Sequence, residues 1–268
     1  MQFSNLESLT ESRLKFGNLL FRFFCIYLVL FILPFPITDG YGWGRVIINQ
    51  YAHFWVRIIN WFSKNLLNLS IKYQEGKWGW DTLFSYVGSM VMAILSVIIC
   101  LGWTIFDKRK KTFQIISRWV ITYVRYFLVF NMFDYGFGKI YNLQFGWARF
   151  PKLVDLLSPY GDQSPMVLLW RFMAYSNSYQ IFTGAVEVLG GILMLFKRTA
   201  ILGILITIAA ICNVVMLNWS YNVDVKYYSM HLLLVAIFLL VPHIRRIADF
   251  FILNKATSPS EIRSVIFE

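Results

Sequence analysis

A carboxylate and an amine sit five positions apart in the stretch FNMFDYGFGKIYNLQF (residues 130–145), at the end of a long apolar run. Asp134 and Lys139 are residue types that move protons or hold a polar ligand where water is scarce. Ionisable groups at membrane depth are costly, and function is the default hypothesis for them. Arg22, Arg125, Glu187, Asn213 and His231 also fall inside apolar runs, and helical phase sorts the set. At ~100° and ~1.5 Å per residue, Arg118, Arg125 and Lys139 lie along one stripe, with Lys139 placed to reach for the outer interface. Asp134 lies about 180° from Arg125, and about 140° and ~7.5 Å from Lys139, so its partner must come from another helix. Gly136 and Gly138 are expected to permit close packing beneath Lys139.

Glu187 precedes Gly190 and Gly191, which let a neighbouring backbone approach and so enforce burial of the carboxyl group. Beside Arg125 or Arg22 it can remain ionised. Two roles are open for it: an ion pair that locks the bundle, or a group that handles a proton or ligand. Asn213 and His231 fall level with Asp134, and a compact Asp134–Asn213–His231 cluster is geometrically allowed. One histidine without H-x-x-x-H or H-E-x-x-H spacing gives no metal site, and a hydrogen-bonded structural histidine is the expectation. No G-x-S-x-G, phosphate-cradling glycine loop or C-x-x-C-H occurs, which argues against a hydrolase, an NTPase and a c-type cytochrome.

These residues need helices to position them. Of the 268 residues 58% are hydrophobic, against ~45–50% in a soluble domain, so the solvent of this fold is a bilayer. Charge-bounded apolar runs predict an all-α polytopic bundle of about six transmembrane helices, at 15–35, 82–106, 117–141, 179–196, 199–217 and 227–241. The last is short for a span. Lys197 and Arg198 alone separate the fourth and fifth, which demands an antiparallel hairpin. Cys25, Cys100 and Cys212 lie in apolar runs without C-x-x-C pairing and read as buried small hydrophobes. Trp103, Trp119, Trp147, Trp170 and Trp219 sit near span ends as an interfacial belt.

The formal charge of +11 comes from clusters between apolar runs, which suits anionic lipid headgroups rather than nucleic acid. Residues 108–111, Lys197–Arg198 and Arg245–Arg246 fall on one side of a six-span chain, placing both termini in the cytoplasm of a cell inner membrane. The run from Leu19 reads as a retained span rather than a removed signal peptide, and the tail ATSPSEIRSVIFE as a mobile cytoplasmic end. In the connector between the first two spans, Asn49, His53, Arg57, Asn60, Lys64 and Asn68 form one face, with Ile48, Tyr51, Trp55, Ile58, Phe62 and Leu66 on the other. This predicts an amphipathic helix on the outer surface. A second external helix is expected from Pro165, capped by Ser164.

The pattern RYFLVFNMFDYGFGK, from Arg125 through Gly136 to Lys139, resembles the first helix of the DoxX-like membrane proteins. EVLGGILMLFKRTAILG, from Glu187, is similar to that family's second helix, short basic turn and third helix, and His231 with the last apolar run completes a four-helix unit. The resemblance covers about the second half of the chain, from Arg118 to Asp249, so three parts are expected: two N-terminal spans with an amphipathic loop (1–116), a DoxX-like four-helix unit (117–249) and a tail (250–268). It points to Arg125, Lys139 and Glu187 as site residues. By the same resemblance the expected function is an accessory or scaffolding subunit of an inner-membrane complex, redox-linked and binding quinone or lipid. Its partners would be membrane lipid and other subunits or further copies of itself. A quinone-linked oxidoreductase and a small transporter are the alternatives, and whether the chain is an enzyme stays open.

Overall fold

A computed structural model describes residues 18–37, 43–73, 81–106, 110–148 and 153–256, and every regular element among them is helical. In chain order these are α1 (Asn18–Ile32), α2 (Trp43–Leu66), α3 (Leu83–Phe106), α4 (Lys110–Ile140), α5 (Leu153–Leu157), α6 (Pro165–Tyr175), α7 (Asn177–Leu195), α8 (Ala200–Ser220), α9 (Lys226–Leu240) and α10 (Ile244–Phe251). Four stretches are long and apolar enough to cross a bilayer: Leu83–Ile105, Asn177–Leu195, Ala200–Ser220 and Lys226–Phe251. The helical stretch that starts at Lys226 runs through a 3₁₀ turn at Val241–His243 to Phe251, beyond the run expected at 227–241. α1 is apolar but shorter over its described residues. α4 carries Arg118, Arg125, Asp134 and Lys139. The expected tail (250–268) is described only to residue 256, its first two residues ending α10, and the first expected span (15–35) only from Asn18.

Glycine sets the closest helix approaches. A Cβ built on Gly184 of α7 would lie 2.5 Å from the Gly136 carbonyl of α4, and one on Gly136 would lie 2.7 Å from the Gly184 carbonyl. The two backbones therefore touch. Gly190 meets Thr207 of α8 and Gly203 meets the Met194 amide of α7 in the same way, while Gly191 receives the Phe133 ring of α4. Gly138 has open space where a Cβ would stand, so of the two glycines beneath Lys139 only Gly136 is a packing site. The turn through Lys197 and Arg198 closes α7 onto α8 as an antiparallel hairpin.

α9 returns alongside α8 and is joined to α3 and α1 by polar contacts. Asp81, just before α3, accepts from the backbone amides of Lys226 (3.2 Å) and Tyr227 (2.7 Å) and from the Lys226 ammonium (2.9 Å). A side chain from another segment thus satisfies the orphan donors at the start of α9. α2 is helical as expected and is held to the bundle by Trp55, Ile59 and Ser63, all buried, with the Tyr51 hydroxyl donating to the Leu30 carbonyl at 3.2 Å. Its inward face centres on Ile59, whereas Leu66 is exposed. Ser164 caps α6 by accepting from the Val167 amide, with Pro165 in the first turn. Cys25 and Cys100 are buried as expected, but Cys212 is exposed on α8.

Gly184→Ala should destabilise the purified protein by ~1–3 kcal/mol, because its methyl group meets a backbone carbonyl that cannot move aside. Gly138→Ala should be neutral or stabilising by up to ~1 kcal/mol, the helix-propensity gain in open space. Thermal unfolding of both variants in one detergent reads the contrast, and equal losses would contradict this packing.

Candidate functional site

Where α4 and α7 touch at glycine separation, the Lys139 ammonium ion-pairs with Glu187 Oε1. Both residues are almost completely enclosed, at 5% and 4% exposure. Gly184, one turn before Glu187, lets the Lys139 stem lie against α7; a Cβ there would be 3.0 Å from Lys139 Cβ. The close backbone approach thus brings a long cation over a shorter anion. Glu187 Oε2 makes no hydrogen bond, leaving one carboxylate oxygen with spare accepting capacity. Two of the seven sequence candidates therefore meet, and the cation beside Glu187 is Lys139 rather than Arg125 or Arg22. Lys139 turns inward to α7 instead of reaching for the interface.

The other five are dispersed. Arg22 points towards the end of α3, 3.5 Å from Thr104 Oγ1 and 5.8 Å from the Trp103 ring, so it does not serve Glu187. Arg125 lies with its guanidinium 5.5 Å from the ring of adjacent Tyr126, and its buried Nε has no hydrogen-bond partner. Asp134 and Asn213 are both exposed, on α4 and α8. His231 is engaged elsewhere: Nδ1 donates to the Tyr227 carbonyl and Nε2 accepts from the Tyr27 hydroxyl, each at 2.8 Å, with the imidazole stacked on Phe31. The Asp134–Asn213–His231 cluster does not form, because the first two side chains face outward while the third faces α1. Among the described residues, no three His, Cys, Asp or Glu side chains converge as metal ligands.

Lys139 also stands at the wall of a cavity of about 410 Å³ between α4, α6, α8 and the α8–α9 turn. Most of its lining is apolar, including Phe145, Met166, Leu169, Trp170, Met173 and Leu217. Trp170, expected in the interfacial belt, is instead part of this wall and packs edge-on against Phe145. Asn218, 6% exposed, contributes an Nδ2 donor with no partner, and Tyr135, Gln144 and Asp224 add polar edges. A chamber with an apolar body and polar groups gathered at one wall suits an amphipathic molecule that presents an acceptor oxygen. Sequence reasoning did not single out Asn218, Asp81 or Tyr27. For Asp81 and Tyr27 no local signal exists, since each partner lies on a distant helix. For Asn218, the signal was an amide inside the apolar run of α8.

The chain is 34% identical over 116 residues to the uncharacterized protein YwoB of Bacillus subtilis (strain 168), an alignment covering 43% of this chain and 71% of that protein. No protein-family model matches the chain, and no solved structure matches it significantly.

Lys139→Met should destabilise the protein by ~3–5 kcal/mol, because it leaves the Glu187 carboxylate buried without its cation. Arg125→Met removes no ion pair and should cost less than ~1.5 kcal/mol. Chemical or thermal unfolding in detergent checks the ranking.

Proposed function

The chain belongs to the family of YwoB, and on that premise we propose that it is a membrane-embedded accessory subunit that binds an amphipathic ligand, a quinone or a lipid. The observation that carries this reading is the double placement of Lys139, ion-paired to Glu187 and at the wall of an otherwise apolar cavity. A lone buried pair would serve only packing, and a lone apolar cavity would have no preferred orientation for its occupant. Together they orient a polar head towards Lys139 and Asn218 and its apolar body between α6 and α8.

The architecture proposed is six crossings, with α1 and α4 added to the four strongest spans, and a DoxX-like unit made of α4 and α7–α9. α4 qualifies despite its charges because its most deeply buried charge, Lys139, is neutralised within the bundle. The clusters Lys197–Arg198 and Arg245–Arg246 lie at one end, which supports a cytoplasmic placement of that end in the inner membrane.

Extraction in mild detergent, followed by mass spectrometry of bound proteins and solvent-extracted small molecules, tests the reading. The wild-type protein should carry a quinone or lipid together with a membrane partner, and Val214→Trp, which puts an indole into the cavity that Val214 lines, should lose the small molecule while unfolding at nearly the same temperature. A wild-type protein that emerges alone and empty would sink the proposal.

A further inference from the structure

The two ends of the bundle differ in charge. Antiparallel packing of α4 on α7, followed by the hairpin turns into α8 and α9, gathers the start of α4, the α7–α8 turn and the end of α9 at one end. Lys110, Lys111, Lys197, Arg198, Arg245 and Arg246 are all found there, and Asp249 is the one carboxylate among the described residues of that end. α10 lies at this basic end, beyond a 3₁₀ turn at Val241–His243 that contains Pro242.

The eight residues IRRIADFF of α10 divide cleanly. At ~100° per residue, Ile244, Ile247, Ala248 and Phe251 share one arc with Phe250 at its edge, while Arg245, Arg246 and Asp249 occupy the opposite arc. The bundle covers the apolar arc only in part: Ile247 and Ala248 are half-buried, whereas Ile244, Phe250 and Phe251 are 51%, 57% and 69% exposed. Ile252 and Leu253, which follow, are exposed as well. Lys226–Phe251 is long enough to span as a single piece, but that would draw Arg245, Arg246 and Asp249 towards hydrocarbon, which is costly.

We propose that α10 is an interfacial anchor for an anionic leaflet, with its apolar arc at the boundary between headgroups and acyl chains and Arg245 and Arg246 on lipid phosphates. The charge of this end selects the occupant. A negatively charged lipid surface complements it, whereas a second copy of the chain would present the same sign and be repelled. A neutral protein groove would leave the neighbouring cations without partners. The anchor fixes the membrane depth of α9 independently of what the cavity at the opposite end binds.

The test uses the full-length protein reconstituted in phosphatidylcholine vesicles with and without phosphatidylglycerol. A spin label is placed at Phe251→Cys or Arg245→Cys on a Cys212→Ser background, Cys25 and Cys100 being buried at 4% and 3% exposure. In the anionic vesicles the label at position 251 should be reached by oxygen and shielded from a water-soluble nickel chelate, with the reverse at 245. Hydrogen exchange of the unsubstituted protein provides a second readout: amides of 244–253 should exchange more slowly when phosphatidylglycerol is present. Arg245→Gln with Arg246→Gln should reduce that protection by roughly tenfold or more, from about fivefold per cation near the surface. A label at 251 open to the chelate in both lipids would overturn the anchor. So would shielding of both positions from both reagents, the sign of a protein cover, or exchange in the unsubstituted protein that ignores lipid charge.

Discussion

A lysine and a glutamate that cannot reach water must neutralise each other, and the position of α4 in this bundle depends on their doing so. α4 carries more charge than the four most apolar spans, yet it packs against α7 more extensively than any other helix pair in the fold. The Lys139–Glu187 pair resolves the conflict locally, and the Gly136–Gly184 contact makes it geometrically accessible. With larger residues at those glycines, the helices would stand too far apart for the ammonium to settle on the carboxylate. With the glycines but no pair, the closest crossing in the bundle would enclose an uncompensated charge. Packing and electrostatics therefore constrain the same point.

The same crossing explains why a cavity forms at that level. Beyond Lys139, α4 ends and the chain leaves the bundle through Phe145, while α6 returns as a cover held by Leu169 and Met173 against Phe145 and Val223. The space left between this cover and α8 is apolar except where Lys139 and Asn218 reach it. At the opposite end the problem is reversed: cations are abundant, and Ile244, Phe250 and Phe251 of α10 stand exposed among the described residues. One end is arranged to enclose, and the other to lie against a charged surface.

Much of the architecture was legible because periodicity and run length report directly on helices in an apolar solvent. The α7–α8 hairpin followed from Lys197 and Arg198, the capped start of α6 from Ser164 and Pro165, and the burial of Glu187 from its two glycines. The pairing of Glu187 was not legible. Lys139 falls on a stripe with Arg125, and phase on a single helix says which residues share a face but not which face meets α7. The deciding quantity is the register of Gly136 on Gly184, a relation between helices fixed by backbone contact. For the same reason the Asp134–Asn213–His231 cluster that depth alone allows does not form: equal depth does not mean a shared direction, and His231 is turned to Tyr27 of α1. Asp81, which organises the start of α9, is read locally only as the residue before a span.

A double-mutant cycle on Lys139→Met and Glu187→Leu, each alone and combined, measures the coupling most directly. Unfolding free energies in one detergent should show large losses for the single variants and near-recovery in the double, with a coupling energy of at least ~2–3 kcal/mol. Losses that add to within ~0.5 kcal/mol would contradict the account, because they would mean that the two charges do not depend on each other.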